Sequence, residues 1–166
     1  MGSYKKFTKE DQKIMATWSL DCAERVLPLF EVANPDDERP RKAIEAGRDW
    51  VRTGIFKMAI IRAASLDAHA AAKDVKQSDV ECFAAHAAGQ AVATAHVPQH
   101  AYGGSYYALK AIAASNPENA KERVEQEFQW QERKLPEHLR NKIMSRIIVD
   151  DSKSRLRISI DKSEGF

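Results

Sequence analysis

The sequence has no apolar run long enough to cross a bilayer, and MGSYKKFTKEDQ lacks the apolar core of a signal peptide. A cytoplasmic chain is therefore expected. It has 2 cysteines, Cys22 and Cys82, in helical contexts without metal-type spacing. That excludes a disulfide scaffold and a cysteine-based zinc module. There is no excess of one charge sign: the formal net charge is +2. This argues against a dedicated nucleic-acid binder and against an acidic DNA mimic. Glycine and proline are few, 7 and 6 in 166 residues, so neither linkers nor low-complexity segments divide the chain. GxSxG, P-loop, Rossmann and HExxH patterns are all missing.

Alanine is what the sequence has in abundance. From Ser78 to Ala114 it carries Ala84, Ala85, Ala87, Ala88, Gly89, Ala91, Ala93 and Ala95. Alanine orders into a helix without losing side-chain entropy. Its thin surface lets neighbouring helices approach at the short end of the ~8–10 Å range. This stretch is predicted as a buried central helix. Ser78 and Glu81 have capping-box spacing at its start. Cys82, His86, Gly89, Ala93 and His96 form one stripe, and Pro98 should end or bend the helix before a second begins near Tyr102.

Thr8 is the predicted N-cap of a first helix with Ile14, Trp18, Cys22, Leu29 and Phe30 buried, and Pro28 should kink or divide it. A second helix has Asp37 as cap and Pro40 in its first turn. Ala43, Ile44, Gly47, Trp50 and Val51 face inward, and Thr53-Gly54 ends it. A third runs from about Phe56 to Lys76. Asn116-Pro117 should open a helix to about Arg133. Leu135-Pro136 should open a last one carrying Leu139, Ile143, Met144, Ile147 and Ile148. Residues 1–150 are thus expected to form one all-α domain, a bundle or short helical stack of about seven helices. Residues 151–166 read as a polar tail, disordered or a short arm. In it Leu156, Ile158 and Ile160 alternate as in a strand.

The histidines draw attention as chemistry. His96 and His100 are four apart, a spacing that can hold a metal on one helix face. Pro98 lies between them, and His86 is ~15 Å from His96 along a helix. Hydrogen-bonded core imidazoles are the plainer reading. His69, His96 and His100 across two helices define a metal-dependent enzyme as the alternative. Asp67, His69, Asp21 and Cys22 hold the residue types of a nucleophile set, but such a set is defined by geometry. Arg39, Arg41 and the tail's Lys153, Arg155 and Arg157 could meet phosphate in a nucleic-acid-associated scaffold. A solvated helix end explains them as well. Tyr102, Tyr106 and Tyr107 suit a binding surface or the edge of the core. Neither a cofactor nor a catalytic residue is indicated.

Five stretches taken together, DCAERVLPLFE, RPRKAIEAGRDW, AAHAAGQAVATAHVPQHA, YYALKAI and WQERKLPEHLR, follow one another from Asp21 to Arg140. In composition and order they resemble a family of bacterial putative immunity proteins of polymorphic toxin systems, the immunity-five-like class. The resemblance implies a non-catalytic protein whose partner is a cognate toxin domain. It makes Asp21, Cys22, Arg39, Pro40, Arg41, Trp50, His69, His96 and His100 the signature positions, as structural or partner-binding candidates. A homodimer is a further expectation, since alanine-rich and aromatic faces exceed what one chain needs.

Overall fold

The computed structural model describes residues 4–166, and these form seven α-helices and one β-hairpin. They are α1 (Lys9–Glu31), α2 (Arg39–Thr53), α3 (Met58–Asp74), α4 (Asp79–Ala93), α5 (His100–Ser115), α6 (Ala120–Lys134) and α7 (Glu137–Met144), then β1 (Ile147–Asp150) and β2 (Arg157–Ile160). The fold is all-α, with α4 at its centre: α1, α2, α3 and α5 all pack against it. Ala84, Ala85, Ala87, Ala88, Ala91 and Val92 of α4 are buried. A larger side chain at these positions would push the surrounding helices apart.

Several ends form as the sequence predicts. Thr8 accepts from the backbone N–H of Asp11 at 3.0 Å. Gly54 closes α2 with φ 68°, donating its N–H to Trp50 O at 2.8 Å. That left-handed conformation is strained for any residue with a Cβ.

Other ends differ. Ser78 is the N-cap of α4 but makes no side-chain cap bond. Glu81 instead accepts from Asn34 Nδ2 at 3.1 Å, joining α4 to the α1–α2 turn. Pro28 does not divide α1, which continues to Glu31. It lies in the final turn, where few residues follow the missing N–H. Pro117 stays in a turn, and α6 begins at Ala120. Asn116 closes α5 rather than opening α6, its Nδ2 donating to Ile112 O at 2.9 Å.

Ile147 and Ile148 leave the helix and enter β1. This strand pairs antiparallel with β2 in the register Ile147–Ile160, Val149–Ile158. The polar tail thus folds back on the body. At its end Phe166 is buried against Tyr102, with ring centroids 5.0 Å apart, and meets Tyr4 edge-on at 5.7 Å.

Within this core several polar side chains bond to backbone carbonyls or to one another. Trp18 Nε1 donates to Gln131 O at 2.8 Å, and Ser105 Oγ to Gln131 Oε1 at 2.6 Å. Gln12 Nε2 donates to Thr94 O and Ala95 O at 2.9 and 3.1 Å, taking up carbonyls just beyond α4. Arg25 binds Glu127 through two bonds of 2.6 and 3.0 Å and lies 3.9 Å over the Trp130 ring, tying α1 to α6.

Candidate partner-binding face

Three histidines gather where α3, α4 and α5 meet. His69 comes from α3 and reaches across to α4 over a gap that only glycine leaves. A Cβ on Gly89 would stand 2.8 Å from His69 Cε1 and Nε2. Ser65 Oγ fastens the same crossing, donating to Gly89 O at 2.9 Å. The imidazole then meets His86, with the two Nδ1 atoms 2.7 Å apart. One ring must donate and the other accept, so the accepting ring is neutral. Burial, then His86, His100 and Lys73, push the His69 pKa down to about 4. Burial, then Lys73, also lowers that of His86.

The His86 ring stacks on Tyr107 of α5, centroids 5.0 Å apart. Tyr107 meets Tyr106 edge-on at 5.0 Å, and Lys110 lies 4.3 Å over the Phe83 ring. One turn away, His100 Nδ1 donates to Gln90 Oε1 at 2.9 Å. Gln90 itself fits because the facing residue is Gly103, where a Cβ would stand 2.6 Å from Gln90 Cγ. Burial, then His96 and Lys162, keep the His100 imidazole neutral by lowering its pKa. His96 turns outward and stacks on Phe56 at 6.4 Å. Gln90, His100, Gly103, Tyr106, Tyr107 and Lys162 line a groove of about 280 Å³. A larger groove of about 680 Å³ lies between α6, α7 and the hairpin.

The structure therefore gathers His69, His86 and His100 on one face, but not as a His69–His96–His100 ligand set. Each imidazole has its own partner: His86, Phe56 and Gln90 respectively. Among the described residues no group of three or more His, Cys, Asp or Glu is placed to hold a metal ion.

The remaining signature positions are buried or ion-paired. Cys22 and Trp50 are buried, so neither presents a surface to a partner. Burial, with Glu127 and Asp21 nearby, raises the Cys22 thiol pKa well above its usual value, which rules out a ready thiolate. Asp21 takes Arg48 at 2.8 Å, and Arg41 binds Glu31 at 2.6 Å. Arg39 bridges Asp37 at 2.7 Å and Asp74 at 2.8 Å. These pairs join α1, α2 and α3, and they engage with carboxylates the guanidinium groups that a phosphate would need. His86, Gln90 and Tyr107 were not singled out as a set from the sequence. The stripe containing His86 was the available signal. Its encounter with His69 depends on how α3 crosses α4.

Residues 5–138 match the family model described as Imm-5 like putative immunity protein. The chain belongs to that family. The match spans α1 to α6 and the helical wall of the imidazole–tyrosine groove, while β1, β2 and the groove's Lys162 lie outside it. No curated protein and no solved structure matches this Imm-5 like chain. No helix among its described residues is long and apolar enough to cross a membrane.

Proposed function

We propose that the chain binds one cognate toxin domain in the cytoplasm and neutralises it by occlusion, without chemistry of its own. The observation that carries this is its membership, over residues 5–138, of a family described as immunity proteins. The face formed by Phe56, His96, His100, Tyr106 and Tyr107 suits the task. Aromatic side chains offer large contact area with few torsions to freeze, and they dominate interface hot spots. The His100 imidazole, already hydrogen-bonded to Gln90, adds polar atoms at little desolvation cost. Occlusion needs shape and tight contact rather than an activated nucleophile.

The test is co-expression with the toxin domain encoded beside this gene. The chain should restore growth and co-purify with the toxin. Tyr107→Ala and His100→Ala should each weaken capture about 30-fold or more, the range of an interface hot spot, with helicity retained by circular dichroism. Arg52→Ala, at an exposed ion pair with Asp49, should leave capture unchanged. Absence of both capture and protection would refute the proposal.

A further inference from the structure

α3 packs one face, Ile61, Ala68, Ala71 and Ala72, against its neighbours α2 and α4. Its opposite face is also apolar and meets solvent. Ala59, Ala63 and Leu66 are exposed there and Ala70 is half-buried. Steps of four, three and four keep them on one stripe. Ile55, Phe56, Met58 and Ile60 stand exposed at the helix's leading end, and Leu66 is 57% exposed. Single exposed hydrophobics are ordinary, whereas a cluster of this kind marks an interaction site.

The charges beside the stripe say what covers it. Arg62 flanks one side and Asp67 the other, and both are exposed. Among the described residues neither has an intramolecular ion pair, although Arg39, Arg41 and Arg48 all do. With Ala63 and Leu66 in the two seam positions of a heptad, Arg62 and Asp67 occupy its two flanking positions, five residues apart. At that spacing the flanking charges of two parallel helices meet. An antiparallel arrangement would instead bring each flank against the same flank of the other helix, Arg62 towards Arg62.

From this we infer that α3 is a self-association surface. A second copy of the chain packs its own α3 in parallel across a two-fold axis, and Arg62 of each copy meets Asp67 of the other. The two-fold forms the ion pair twice, as an isologous interface requires. The alanines let the helices approach, and Leu66 is the main apolar knob. A helix of 17 residues is roughly 25 Å long. One narrow face of such a helix is small beside the ~1,200–2,000 Å² of a standard interface, so a weak, concentration-dependent association is expected.

Light scattering at about 200 µM should therefore give twice the 18.7 kDa chain mass, falling towards the monomer near 1 µM. Arg62→Asp alone and Asp67→Arg alone place like charges together and should give monomers at both concentrations. The double variant R62D/D67R should recover the dimer. Leu66→Asp should be monomeric with an unchanged circular dichroism spectrum. A wild-type chain that stays monomeric at about 200 µM overturns the inference, and still more so if Leu66→Asp then abolishes toxin capture. A dimer indifferent to single charge reversals, or one that the double reversal fails to restore, overturns it equally.

Discussion

Gly89 shows how one missing Cβ positions the imidazole pair. Replacing glycine with alanine inside an exposed helix normally stabilises it by about 0.5–1 kcal/mol. At Gly89 the new methyl would stand 2.8 Å from two atoms of the His69 ring. That ring is held by His86 and has little room to turn. Overpacking at such a site costs about 1–3 kcal/mol, more than the propensity gain. Gly89→Ala should lower the unfolding free energy, read from urea denaturation, by a net of about 1 kcal/mol. Gly47 is a second such site: its Cβ would meet Leu20 Cδ2 at 2.7 Å, and Leu20 is fully buried. Gly47→Ala should likewise destabilise, and a neutral or stabilising outcome at both sites would contradict this account. From the sequence Gly89 was visible only as a small residue on a stripe. Nothing local shows that an imidazole 20 positions earlier occupies the space.

At the scale of elements, what could be read depended on whether the signal was local. The Thr8 cap, the Gly54 terminator and the alanine-lined faces of α3 and α4 all act within a few residues, and the sequence shows them. Ser78 with Glu81 had capping-box spacing, but the carboxylate found a partner in Asn34, 47 residues away. Ile147 and Ile148 continue the apolar spacing of α7. They pair as a strand because β2 offers unpaired backbone and a matching apolar alternation, which only the folded chain brings alongside. The hairpin in turn delivers Phe166 to Tyr102. The Lys5 N–H also donates to Phe166 O at 2.6 Å, so both ends of the described chain are fastened at one place. Phe166→Ala should destabilise by about 1–3 kcal/mol, less than a central phenylalanine because this ring sits at the core's edge. Chemical denaturation would show it. An unchanged midpoint would mean that the tail is stuck on rather than folded in.

At the scale of the whole molecule, the imidazole junction makes stability depend on pH. The His69 pKa is lowered to about 4 in the folded chain, from an ordinary value of 6.5, by burial first and then by His86, His100 and Lys73. His86 is lowered in the same sense, with the Tyr107 ring against it from α5. Between those two values the unfolded chain holds a proton on His69 that the folded chain does not. More protons on the unfolded state means that stability rises with pH. The contribution is complete above about pH 6.5 and is lost progressively as pH falls towards 4. Protonating the accepting ring at Nδ1 would also remove the acceptor from the 2.7 Å bond and place a cation where α3 crosses α4. Below that window a separate loss begins, because Arg39 holds the Asp37 carboxyl below its usual range and acid removes that pair. Urea midpoints measured every half unit from pH 8 to 4 should therefore fall most steeply below about 6.5. In His69→Gln the slope across this window should flatten, whatever the variant does to absolute stability, because the titrating ring is gone. An identical slope in His69→Gln would place the pH sensitivity elsewhere in the chain.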